Sequence, residues 1–95
     1  MWWLDVETGN SWSSSNLTLN QYAIQGATDR LSQTGLPVGV YSTAASWKTI
    51  TGSGFTPNGS AADWVAGGSC TTPFNAAPVW LSQFTSAGID YDTAC

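Results

Sequence analysis

Apolar and polar positions alternate in the first seven residues, and the period then changes. In Trp2-Trp3-Leu4-Asp5-Val6-Glu7, residues two apart share one side of a strand, so Trp3, Asp5 and Glu7 face one way and Trp2, Leu4 and Val6 the other. The run breaks at Thr8 to Ser15, a stretch of Gly, Asn and Ser around Trp12 that reads as a loop. From about Thr18 the spacing is helical. Ile24, Ala27 and Leu31 form an apolar stripe, and Asn20, Gln25, Asp29 and Ser32 form the wet side. Thr18 with Gln21 makes a capping box, Leu17 with Tyr22 a hydrophobic staple, and Gly35 followed by Pro37 ends the helix.

The next apolar run, Val38-Gly39-Val40-Tyr41-Ser42, is short and β-branched, so strand, helix and strand make a βαβ unit with parallel strands. Alternation turns Val38 and Val40 toward the helix layer, and Gly39 and Tyr41 toward the side of Asp5 and Glu7. Ser42 or Thr43 caps a short helix through Trp47 and Ile50 that Gly52 stops. Two more apolar runs follow, Asp63 to Ala66 and Pro78 to Phe84, separated by a loop that holds Cys70. Alternation leaves open whether Ser82 or Gln83 faces inward. The tail from Thr85 to Cys95 carries a second acidic pair, Asp90 and Asp92. The pattern predicts an α/β chain of about four mainly parallel strands with one long and one short helix. It has no internal repeat and no linker, so residues 1–95 form one domain.

Composition narrows the class. A hydrophobic fraction of 42% with six tryptophans argues against disorder. Only Arg30 and Lys48 are basic against six acidic residues, a net charge of −4. With no basic cluster, neither nucleic acid nor an anionic membrane surface is an expected partner. No apolar run approaches the ~18 residues of a membrane span, and no secretory leader is legible after Met1. A strand that starts almost at residue one suggests a piece of a longer chain. Histidine is absent and no EF-hand loop occurs, so neither metal nor cofactor is expected. Cys70 and Cys95 lack the spacing of a zinc or redox pair. As a disulfide they fit an exported protein and close a loop worth about 3 kcal/mol. Two buried free thiols are the alternative.

The order of motifs carries a resemblance. Trp-Trp-Leu-Asp-Val-Glu at 2–7, Val-Gly-Val-Tyr-Ser-Thr at 38–43, Asp-Trp-Val-Ala at 63–66, Val-Trp-Leu-Ser-Gln-Phe-Thr at 79–85 and Ile-Asp-Tyr-Asp at 89–92 resemble the second half of a family-25 glycoside hydrolase. That family is the lysozyme-like muramidases, and the resemblance is more specifically to their secreted actinobacterial members. The resemblance implies a partial TIM-type (β/α) barrel, the C-terminal half of such a domain, with the Asp-x-Glu motif on its fourth strand. It implies a cell-wall polysaccharide such as peptidoglycan as substrate and a secreted or extracellular location. The first three strands, including the family's first-strand acid, have no counterpart in this chain. A half barrel leaves parallel strand edges and one sheet face open, which invites self-association.

Hydrolysis of a glycosidic bond needs a carboxylic acid to protonate the leaving oxygen and a second group at the anomeric carbon. Asp5 and Glu7 share a face at about 6.6 Å along the backbone, too coarse a spacing to choose between retention and inversion. Crowding two carboxyls beside Trp3 raises one pKa, and Glu7, nearer the strand's C-terminal end, is the expected general acid. Asp5 orients it or polarises the sugar's N-acetyl group. Tyr41, Asp90, Gln83 and Trp64 are the expected substrate-binding residues, with Trp12 and Trp47 as further rings for stacking on sugar. The competing reading is a pair of solvated carboxylates in a non-catalytic carbohydrate-binding or structural remnant of such a barrel.

Overall fold

A computed structural model describes all 95 residues, in the order β1 (Trp2–Asp5), α1 (Leu17–Ser32), β2 (Val38–Ser42), α2 (Ala44–Thr51), β3 (Ser60–Ala66), β4 (Val79–Ser86) and β5 (Ile89–Ala94). The five strands form one sheet in sequence order. β1 to β4 are parallel, and β5 returns antiparallel to β4. This is the α/β architecture expected of part of a barrel, with one strand more than the sequence pattern suggests. One free edge belongs to β1, as expected. The edge of β4 is not free, because β5 takes it.

The helices cover one face of the parallel half. Val6, Ile24, Val40, Trp47 and Ile50 form the buried cluster, with Leu4, Trp12, Phe55 and Phe74 packed against it. Trp47 is its centre, stacked on Phe55 at a centroid distance of 5.9 Å and tilted against Phe74 at 5.2 Å. Its indole N–H donates to the Phe55 carbonyl oxygen. A ring so enclosed is unavailable to a sugar, which corrects the stacking role considered for Trp47.

α1 begins one residue before Thr18, at Leu17, with Asn16 in the N-cap position and no side-chain cap. The expected capping box does not form, because Gln21 reaches across to donate to the Thr51 carbonyl oxygen instead. The buried row of α1 is Asn20, Ile24 and Thr28, at a spacing of four. Asn20 therefore belongs to the interior and not to the wet side. Its amide donates to the Ser13 and Ile50 carbonyl oxygens and accepts from the Ser13 N–H, so its burial leaves nothing unpaired. Thr28 satisfies its hydroxyl on the Ile24 carbonyl of the preceding turn.

Of the two cap candidates for α2, Thr43 is the cap: its hydroxyl accepts the Ser46 N–H at 3.0 Å. Ser42 turns inward and donates to the Val6 carbonyl oxygen at 2.7 Å, which fastens the end of β1 to β2 just where the acidic residues emerge. Val6 N–H donates in turn to the Tyr41 carbonyl, so the chain stays extended beyond Asp5 toward Glu7.

Candidate functional site

Register places the chemistry. Asp5 pairs with Tyr41, Tyr41 with Trp64 and Trp64 with Leu81, and residues side by side in a sheet point the same way. Two residues along β4 from Leu81, Gln83 therefore shares this face, which settles the choice between Ser82 and Gln83. Ser82 lies buried on the helix side. Trp3, Asp5, Tyr41, Trp64 and Gln83 together line an open cavity of about 300 Å³ on the face the helices do not cover. Three of these come from the expected binding set and one from the expected catalytic pair. A larger cavity of about 470 Å³, lined by Thr43, Ala44, Val65, Gly67 and Thr72 among others, contains no titratable side chain.

The lining is fixed by aromatic and polar contacts. Trp64 meets Tyr41 edge-on at 5.0 Å and Trp3 edge-on at 5.6 Å. Tyr41 donates its hydroxyl to Gln83 Oε1 at 2.7 Å. Trp3 lies over Gly39: a Cβ there would run into the indole and stand 2.7 Å from the Ala62 carbonyl oxygen. Only glycine at 39 lets the ring approach the strand this closely. Trp3 was legible as a neighbour of the two acids, two residues before Asp5, and it lines the cavity beside Asp5.

Glu7 stands just past the end of β1, beside Asp5. Its pKa is raised above the ordinary carboxylate value, chiefly through a hydrogen bond shared with the Asp5 carboxyl, then by the Asp5 charge, and least by burial. Tyr41 is pushed up by burial first and then by the negative charges of Glu7, Asp5, Asp90 and Asp92. The charges of four of the six acidic residues therefore reach one phenol, and register puts Asp5, Asp90 and Asp92 on one face of the sheet. Asp90 accepts from the Thr85 hydroxyl at 2.7 Å, and Asp92 accepts from Trp64 Nε1 at 2.9 Å. No three or more His, Cys, Asp or Glu side chains are grouped so as to hold a metal ion. Trp12 sits apart from the cavity lining, its indole N–H bonded to the Glu7 carbonyl oxygen.

Cys70 and Cys95 are joined, with their Cα atoms 5.5 Å apart, and this decides between the two readings of the pair. The bond ties the end of β5 to the loop between β3 and β4. One buried acid escaped the sequence reading. Asp63 is fully enclosed under β3 on the helix side, with neither carboxylate oxygen hydrogen-bonded. Burial raises its pKa to about 7, and the nearby Asn75 amide only partly opposes this.

Comparison with known proteins bears on this face. The family described as lysozyme-like protein 1 matches residues 1–88, from the first strand through the turn before β5. The chain belongs to this lysozyme-like family. It is also similar to a probable GH family 25 lysozyme 3 of Dictyostelium discoideum, 43% identical over 51 residues. That overlap is 54% of this chain and 11% of the relative, so this lysozyme-like chain spans a small part of the relative's length. No solved structure matches it. The family-25 resemblance carried by the strand motifs is thus found again by independent comparison.

Proposed function

We propose that this lysozyme-like chain supplies one wall of a muramidase-type glycoside hydrolase that cuts the polysaccharide of bacterial peptidoglycan, as the C-terminal half of a (β/α) barrel. One observation carries the reading: Asp5 lines a cavity walled by the rings of Trp3, Tyr41 and Trp64, and Glu7, just past the strand end, has its pKa raised by that neighbour. In this mechanism Glu7, its pKa raised by its carboxyl neighbour, is the group that delivers a proton to the leaving glycosidic oxygen. Asp5 orients Glu7 and polarises the sugar's N-acetyl group. The rings of Trp3 and Trp64 offer apolar edges and faces to a pyranose, while Tyr41 and Gln83 bind its hydroxyls. Asp90 adds a hydroxyl acceptor from the hairpin side.

The free edge of β1 fits a further parallel strand, either from the rest of a barrel or from a second copy. A solvent-exposed disulfide suits a secreted protein acting on an extracellular wall. A second reading, binding without cleavage, is favoured for the 95 residues alone by the openness of the cavity, which covers a sugar from one side only.

Turbidity loss of a peptidoglycan suspension tests the proposal. In the full-length context the protein clears the suspension, and Glu7→Gln lowers the rate by at least about 100-fold, the usual scale for a general acid. Equal clearing by the Glu7→Gln protein sinks the catalytic assignment. Failure of the unsubstituted full-length protein to clear any suspension sinks the hydrolase reading as a whole.

A further inference from the structure

Asp92 on the hairpin has no role in the mechanism above, and its position supplies one. Its Oδ1 accepts the hydrogen bond of Trp64 Nε1 at 2.9 Å. That N–H is the only polar group an indole possesses, so the bond selects which edge of the ring turns toward β5 and which toward its aromatic neighbours. Those neighbours, Tyr41 and Trp3, meet Trp64 at interplanar angles of 76° and 70°, contacts that depend on ring orientation.

Topology makes the arrangement a closed circuit. Asp92 is the register partner of Gln83 across the hairpin, and Tyr41 is the register partner of Trp64 across the parallel pair. One side-chain bond runs from Asp92 to Trp64 and another from Tyr41 to Gln83. Each strand pair therefore clamps the other through the side chains that line the cavity. β5 itself is exposed along its whole length, so its own burial does not hold it in place. The bond to Trp64 is a side-chain contact by which it reaches the cavity lining.

We infer that Asp92 is a positioning residue, which holds the Trp64 ring in the orientation that lines the sugar cavity. It works through its acceptor oxygen and not through a proton, so asparagine, which keeps an oxygen at the same place, substitutes for it. The ligand's identity rests on the function proposed above, whereas the positioning does not.

The experiment uses two readouts on the 95-residue chain. In spectra of the chain labelled at tryptophan nitrogen, the Trp64 indole N–H is assigned by its loss in Trp64→Phe. Its solvent exchange rises about tenfold in Asp92→Ala, as expected for losing its acceptor, and stays within about twofold of the parent in Asp92→Asn. The second readout is affinity for the N-acetylglucosamine trimer, followed by tryptophan fluorescence. It falls about tenfold in Asp92→Ala and is restored in Asp92→Asn. In the Trp64→Phe background Asp92→Ala adds nothing further, because both changes remove one interaction.

Unchanged indole exchange in Asp92→Ala overturns the inference, as do losses of affinity that add in the double variant. If Asp92→Ala does not fold, Asp92→Ser, too short to reach the indole, gives the same comparison. Where the parent itself binds no trimer, the sugar-site reading fails, and the indole exchange still decides for or against the positioning role.

Discussion

Four of the five residues of β2 are buried, whereas every residue of β5 is exposed. The first strand is held by what packs on it: Val38 and Val40 lie under the helices, and Gly39 lies under Trp3. The second is held by its ladder to β4, by the Cys95 N–H donating to the Trp80 carbonyl, and by the bond to Cys70. The cavity joins the two regimes: Asp5 and Tyr41 come from the packed end, and Trp64 is bonded to Asp92 of the hairpin. Core packing therefore positions the acids, while cross-strand bonds and one covalent link position the wall opposite them.

The largest test of this division is at the packed end. Trp47→Ala removes the ring that three neighbouring elements close around, and the loss is about 4 kcal/mol in urea unfolding. A loss under about 1 kcal/mol would mean that packing does not hold this end. At the other end, Cys70→Ser together with Cys95→Ser costs about 3 kcal/mol. Amide exchange then rises mainly in β5 and leaves β2 protected; equal acceleration in both strands would erase the distinction drawn here.

The smallest effect belongs to β3, the strand between the two regimes. Asp63 has its folded pKa raised to about 7 from an ordinary value of 3.8, so the folded chain binds a proton that the unfolded chain has already released. Its contribution is complete below the unfolded value and is lost as pH rises toward and through 7. Stability should drop by about 1 kcal/mol between pH 6 and pH 7 on account of this group, and the drop should vanish in Asp63→Asn. An Asp63→Asn chain with the same pH slope as the parent would place the titration elsewhere.

The packed end was the legible one. The helical period from Leu17 and the β-branched run at Val38 reflect burial on one side, which is what hydrophobic spacing records. Alternation put Tyr41 on the side of Asp5, whereas Gln83 needed the observed register, Asp5 beside Tyr41, Tyr41 beside Trp64 and Trp64 beside Leu81, to be told from Ser82. The cap of α1 was misread because Gln21 had a tertiary partner in Thr51, and a distant carbonyl outcompeted the local box. Asn20 looked solvated for a related reason: its partners, Ser13 and Ile50, are supplied by a loop and another helix.

The start of β3 was missed because Ser60-Ala61-Ala62 has no β-branched residue. Small residues are needed there, since Ala62 lies wholly buried beside Gly39. β5 was passed over because none of its residues is buried; its one ring contact, Tyr91 stacked on Phe84, lies on the surface. Its signal lay in the turn, where Ala87 and Gly88 both have positive φ, 52° and 77°, and join Ser86 to its partner Ile89 as a two-residue hairpin. The alternation of Ile89 and Tyr91 with Asp90 and Asp92 was visible, though without burial it is easily taken for a tail.

Gly39 leaves a last consequence. The Trp3 indole rests on bare backbone at this point, with no atom between ring and sheet that could be trimmed away. The cavity is therefore already as deep on that side as a strand allows, and any change at position 39 makes it shallower. Its shape is limited at a residue that bears no functional group at all, by a missing methyl.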